Sequence, residues 1–295
     1  MSTRILCIGS VLWDVIGRSS AVMRVGSDVP GRITRLPGGV AMNIAMTLRR
    51  FGMSPVLLTT IGRDAAGDDL IRHADRLGLD TSLVYRSDDL PTDQYMAVEG
   101  ANGVIAAIAN AHSLEAAGDK ILAPLLDGRL GATDRPYTGK IALDGNLTEM
   151  LLAEIALHAA FSAADLRIAP ASPGKAERLL PLLAMENATL YVNLEEAGIL
   201  CQRHFTTAPD AAKALMSMGA AEVLVTDGGA PAAHAGRFGI VTAEPPQVLV
   251  TRVTGAGDTF MAAHIAAEAR GESTEMALNT ALSAAASYVS GDVPS

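Results

Sequence analysis

Aromatic residues are scarce, at 4% of the chain, so its interior must be filled mainly by aliphatic and alanine side chains. With 49% hydrophobic residues there is enough material for a packed core, which excludes a disordered chain. Cationic surface is also in short supply. The 295 residues carry 23 Lys and Arg against 32 Asp and Glu, a formal net charge of −9, and this excludes the basic footprint of a nucleic-acid or anionic-membrane binder. Only two cysteines occur, Cys7 and Cys201. They fit no metal spacing and no disulfide framework, so a reducing, cytoplasmic setting is expected. No apolar run is long and uncharged enough to span a membrane. The run Ile5-Leu6-Cys7-Ile8 is broken by Gly9 and then Asp14, and does not read as a secretion signal. Gly-x-x-x-x-Gly-Lys-Ser/Thr is absent as well, which excludes a P-loop kinase.

What is there is an alternation. Short continuous apolar runs begin at Arg4, Val56, Lys140, Leu166, Thr189 and Glu222, and several end in glycine or a polar residue, as buried parallel strands do. Helical stretches over 39–51, 67–77, 148–160, 173–183 and 209–218, and two more after Asp258, fall between or beyond them. The expected fold class is therefore α/β, a mainly parallel sheet covered by helices on both faces, in a single domain over 1–295. Two segments break the rhythm, at about 11–36 and 91–112. Tyr95 to Ile108 reads as a hairpin around Asn102-Gly103, and a small β-lid over a ligand site is the economical interpretation.

Near the C-terminus stands Val253-Thr254-Gly255-Ala256-Gly257-Asp258-Thr259-Phe260, followed by an Ala-rich helical run. A glycine turn feeding a helix N-terminus presents unpaired amides and partial positive charge, which receives an anion. A carboxylate beside such a site repels its ligand unless it has a task, such as taking a proton from a hydroxyl that attacks a phosphate. A plain turn with Asp258 as N-cap is the simpler alternative. Other strands end in Gly9-Ser10 with Asp14 close behind, Asn193-Leu194-Glu195-Glu196 and Thr226-Asp227-Gly228-Gly229, while Pro37-Gly38-Gly39-Val40-Ala41-Met42-Asn43 precedes a helix. Singly, each reads equally well as a turn or a cap.

In order and spacing these pieces resemble the ribokinase-like sugar and nucleoside kinases, the PfkB family, over nearly the whole chain. The resemblance implies a three-layer α/β/α sandwich with a small β-lid, and transfer of the ATP γ-phosphoryl group to a hydroxyl. It implies Asp258 as general base and the amides of Gly255, Ala256 and Gly257 as anion hole. Asp14, Gly38, Gly39, Asn43, Tyr95 and Asn146 would bind the acceptor. Asn193, Thr226, Gly228, Gly229 and Thr254 would bind the nucleotide, and Glu196 with Asn193 would organise Mg²⁺ through water.

Departures narrow the acceptor. Leu12, Val40 and Asn146 stand where ribokinases usually have Asn, Lys and Glu, which weakens the case for free ribose. The segments 38–45, 95–103, 144–147 and 172–176 are similar to pseudouridine kinases, although Met42 and Asn110-Ala111 differ from that subgroup's Arg and Asp-Met. Pseudouridine is thus the expected acceptor, with a sugar kinase (ribose, fructose or a keto-sugar acid) or a non-catalytic nucleoside sensor as alternatives. Arg252 replaces the Asp that helps hold a monovalent cation in the family, so K⁺ activation is expected to be weak or absent, unless Arg252 simply faces solvent. Trp13 is expected to pack under the lid, His112 is the histidine to test for acceptor contact, and the acidic run 64–69 reads as a solvated helix start. An exposed lid edge would invite a partner strand, giving a homodimer.

Overall fold

The structure, a computed structural model, describes residues 3–24 and 26–291. The chain opens with β1 (Arg4–Ile8), β2 (Leu12–Arg18), β3 (Arg32–Gly38), α1 (Val40–Arg50), β4 (Ser54–Leu58), β5 (Thr60–Gly62), α2 (Ala65–Arg76) and β6 (Tyr85–Ser87). Next come β7 (Gln94–Gly100), β8 (Gly103–Asn110), α3 (Ser113–Ala117), α4 (Ala123–Leu126), β9 (Lys140–Asp144), α5 (Glu149–Leu157) and β10 (Asp165–Ala169). The last third holds β11 (Ala188–Asn193), α6 (Leu194–Leu200), α7 (Ala208–Ser217), β12 (Glu222–Asp227), β13 (Ala230–Gly236), β14 (Gly239–Ala243), α8 (Ala256–Ala269) and α9 (Thr274–Ser290).

The continuous apolar runs line up in one eight-stranded sheet of order β14-β13-β12-β11-β10-β9-β1-β4, parallel from β12 to β4. Ile5 and Cys7 of β1 point into a core shared with α1, α2, α8 and α9. Leu6 and Ile8 point into a second core beneath α5, α6 and α7. Both faces are dry, which is why these strands carry no polar alternation. Helix α8 is buried at every position from Thr259 to Ala267. Its run of alanines lets it lie between the sheet and the helices α1 and α9, so it has no polar stripe to betray its period.

The second sheet, of order β3-β2-β7-β8, takes its strands from the two segments that break the helical rhythm. The hairpin around Asn102-Gly103 is β7–β8, with Gly103 at φ 95. Trp13 is fully buried on the far side of β2 from Asp14, donating from Nε1 to the Ala66 carbonyl at 2.8 Å, and so packs under the lid. Asp64, the first residue of the acidic run, is the N-cap of α2 and also accepts from the Thr92 amide and hydroxyl, bonds that hold its pKa low against burial.

Three local expectations change. The helix over 173–183 is a run of 3₁₀ turns, Pro173–Leu182, because Pro181 has no N–H to give and its ring disrupts an α-helix. Helix α5 stops at Leu157 and continues only as a 3₁₀ turn, Ala159–Phe161. The hairpin β13–β14 is hidden by its composition, since Ala230–Gly236 is alanine-rich and contains a proline. Among the described residues no helix is long and apolar enough to cross a membrane.

Candidate active site

The parallel strands all end on one edge of the main sheet, the edge where open α/β sheets receive ligands. Across it, β12 and β11 end at the paired Thr226 and Asn193, β9 ends at Asp144, and β1 runs into Gly9-Ser10. The N-terminus of α8 arrives between these two halves, packed on β10 and β11.

On the β9–β1 side the glycine pair is a packing requirement. A Cβ at Gly38 would collide with the Asp14 carboxylate, and one at Gly39 with the Ser10 carbonyl, while Gly39 also takes φ 94 as it opens α1. One turn later Asn43 donates from Nδ2 to Asp258 Oδ2 at 2.8 Å, so two motifs 215 residues apart meet at one carboxylate. Tyr95 stands opposite Asp14 on the neighbouring strand, on the same face of the lid. Asn146 lies just beyond β9, where Lys175 Nζ donates to its Oδ1 at 2.6 Å. His112 is exposed at the entrance to α3, close to Asp93 rather than to these residues.

The turn into α8 differs from expectation in one amide. Gly255 has φ 89 and ψ −1, the values required at the third position of a type II turn, and the Ala256 amide closes that turn on the Val253 carbonyl at 3.0 Å. Ala256 therefore does not offer its N–H to an anion. The amides of Gly255, Gly257 and Asp258 have no hydrogen-bond partner among the described residues, so the anion hole consists of these three. A Cβ on Gly255 would lie 2.6 Å from the Tyr288 hydroxyl, a second reason for glycine there.

The strap leading into this turn is clipped to the end of α9. Thr251 and Arg252 donate their amides to the Val289 carbonyl at 2.8 and 3.2 Å, and Tyr288 donates its hydroxyl to the Thr254 carbonyl at 2.9 Å. Arg252 does not face solvent. Its Nε donates to the Tyr288 carbonyl at 2.7 Å and its guanidinium stacks 4.0 Å from the Tyr288 ring centre. A fixed positive charge thus sits on the carbonyl end of α9, beside the anion hole.

On the nucleotide half, Asn193 and Glu196 form a reciprocal capping box at the start of α6. Asn193 Oδ1 accepts from the Glu196 amide and Glu196 Oε2 from the Asn193 amide, both at 2.8 Å. Thr226 is followed by the open turn Asp227-Gly228-Gly229, with Gly228 at φ 55, and added Cβ atoms at either glycine would meet open space. Among the described residues no three His, Cys, Asp or Glu side chains converge as a metal cage.

The electrostatics follow from the crowding of carboxylates. Burial raises the Asp258 pKa to about 7, with Asp144 and Glu196 adding to the rise and the Asn43 hydrogen bond opposing it. Burial also lifts Asp14 to about 6 and pushes Glu196 upward. Asp258 is thus poised as a base near neutral pH. Three further residues belong to this neighbourhood: Asp144, Lys175 and Tyr288. Their local sequence signals are slight. Only Asp144, a charge at the end of an apolar parallel strand, occupies a position that could have singled it out.

The model of the pfkB family carbohydrate kinases matches residues 2–291. Pseudouridine kinase of Arabidopsis thaliana is 26% identical over 242 residues, covering 75% of this chain and 62% of that protein, so the chain spans about three fifths of its length. Among solved structures, a carbohydrate kinase from Agrobacterium tumefaciens superposes with a TM-score of 0.82 at 25% identity, covering 99% of this chain and 94% of the other. Arabidopsis thaliana ribokinase complexed with ribose and ATP gives a TM-score of 0.78 at 21% identity, covering 100% of this chain and 94% of that one. The fold is ribokinase-like, and the chain belongs to the pfkB family of carbohydrate kinases.

Proposed function

We propose that the protein transfers the γ-phosphoryl group of ATP to the 5′-hydroxyl of a nucleoside, with pseudouridine as the acceptor. The Asn43–Asp258 hydrogen bond carries this reading, because it holds a carboxylate of pKa about 7 between the acceptor side and the unpaired amides of α8. Asp258 takes the proton of the acceptor hydroxyl as its oxygen bonds to the γ-phosphorus and the bond to the ADP oxygen breaks. The amides of Gly255, Gly257 and Asp258 meet the charge spread over the transferring oxygens. Asp14, Gly38, Gly39, Asn43, Tyr95 and Asn146 bind the acceptor, while Asn193, Thr226, Gly228, Gly229 and Thr254 bind the nucleotide.

Mg²⁺, when bound, neutralises phosphate charge. The capping box already occupies one side of both Asn193 and Glu196, so this pair suits an ion that enters with the nucleotide and is held through water. Arg252 supplies a fixed charge where a monovalent cation would otherwise serve. Pseudouridine is favoured by the likeness to the Arabidopsis pseudouridine kinase and by the residues at 38–45, 95–103, 144–147 and 172–176. The lid edge supports a homodimer, since β8 carries no charged residue and exposes Val104 and Ile108.

Product detection with ATP·Mg²⁺ and a panel of pseudouridine, uridine, ribose and fructose tests the reading. A 5′-phosphate on pseudouridine is expected. Product on ribose or fructose alone would make this a sugar kinase, and binding without product a sensor.

A further inference from the structure

We infer that Asp144 is the positioning residue of the acceptor side: its buried carboxylate ties the β1–β2 connection, the N-terminus of α1 and the turn after β9 into one piece, and so sets where Asp14, Asn43 and Asn146 stand. The inference rests on the kinase reading above. Asp144 is fully buried. Its Oδ2 accepts from the Ser10 amide at 2.8 Å and the Ala41 amide at 3.1 Å, and its Oδ1 from the Asn146 amide at 2.8 Å. These bonds reach 134 residues back to Ser10 and 103 back to Ala41.

A carboxylate buried without partners is strongly unfavourable, so its persistence here requires the three donors it collects. Burial pushes its pKa up, while the Ser10 and Asn146 hydrogen bonds and the Lys175 charge hold it down. With amide donors on both oxygens, the ionised form is the one that satisfies all three N–H groups. Two neighbouring features are explained by the same group. Helix α1 has no side-chain cap of its own, and Asp144 performs that task from another element, next to the positive end of the helix. Gly9 ends β1 because a Cβ there would collide with this carboxylate.

Each segment that Asp144 holds carries one acceptor residue. Ser10 leads to Asp14, Ala41 to Asn43 and through it to Asp258, and Asn146 is bound directly. Asp144 has no exposed surface and so acts through the others. Its negative charge, with that of Glu196, also lifts the Asp258 pKa.

The test is Asp144→Asn, which keeps the volume but loses the charge. We expect the acceptor KM to rise about 10-fold or more while the ATP KM changes by less than about 2-fold, since displaced supporting groups commonly change affinity at such levels. The acid limb of kcat/KM should move to lower pH, because Asp258 loses a like-charged neighbour. Gly9→Ala, which presses a methyl group onto the same carboxylate without removing its charge, should reproduce the KM split and leave the acid limb in place. Amide hydrogen exchange at Ser10, Ala41 and Asn146 should quicken together in both variants, a readout that needs no turnover. A wild type that phosphorylates no acceptor in the panel would defeat the kinase reading alone. Equal rises in both KM values, or unchanged exchange at the three amides, would overturn the role of Asp144.

Discussion

Two helices enter the active site through a glycine, and they are finished in opposite ways. Gly39 opens α1 at φ 94 and Gly255 opens α8 at φ 89, and neither helix has a side-chain cap. In α1 the Ala41 amide is taken by the buried Asp144 carboxylate. In α8 the amides of Gly257 and Asp258 have no partner among the described residues, and the nearest fixed cation is Arg252, held on the Tyr288 ring and carbonyl. One helix end is neutralised from within and works as a rigid platform for acceptor residues. The other keeps its positive end free for a phosphate. Similar entry geometry therefore serves two tasks, and what decides between them is whether a protein carboxylate already occupies the amides.

The comparison breaks first at its glycines. Gly255→Ala must place a side chain at φ 89 and a Cβ 2.6 Å from the Tyr288 hydroxyl, a strain of about 1–3 kcal/mol. It should lower kcat about 100-fold by misaligning the anion hole, read by steady-state kinetics beside a thermal melt. Gly39→Ala should instead raise the acceptor KM, because its collision is with Ser10 on the acceptor side. If both variants lost kcat alone, the division of labour between the two helices would be wrong.

Asn43→Ala sharpens the link between the helices. Asn43 donates the hydrogen bond that holds the Asp258 pKa down, so its loss lets that pKa rise above about 7. Asp258 works deprotonated. The acid limb of kcat/KM should therefore move to higher pH, and kcat/KM at pH 7 should fall by up to about 10-fold as the protonated, inactive form gains ground. A limb that stayed put would detach Asn43 from the base. The smallest effect concerns ions: exchanging K⁺ for a larger organic cation should change the wild-type rate by less than about 2-fold, since Arg252 supplies the charge in place. A strong K⁺ requirement would refute that assignment.

The architecture is legible where local pattern and burial agree. The apolar runs of β1, β4 and β9–β12 declare parallel strands because both faces are dry, and Asn102-Gly103 declares the β7–β8 hairpin through its turn chemistry. Strands β13 and β14 are not legible, because Ala230–Gly236 becomes a strand through pairing with β12 rather than through its own propensity. At the site, the glycines and Asp258 stand out since the turn itself demands them. The Ala256 amide reads as part of the anion hole in sequence, and only the closed turn shows it spent on Val253. Asp144 is visible merely as part of a turn after a strand, for nothing within a few residues records that its oxygens reach Ser10 and Ala41. His264 is a comparable case. It sits in a helix that gives no amphipathic signal, yet it is fully buried beneath Tyr191, whose hydroxyl lies 2.9 Å from its Nδ1.

The account turns on Asp258 as the base at the mouth of α8. Turnover and ATP affinity measured side by side for wild type and Asp258→Asn test it most directly. The predicted result is a loss of about 1,000-fold in kcat with ATP binding preserved to within about 3-fold, as expected when a positioned base is removed and the neighbouring amides remain. Undiminished turnover in Asp258→Asn would contradict it.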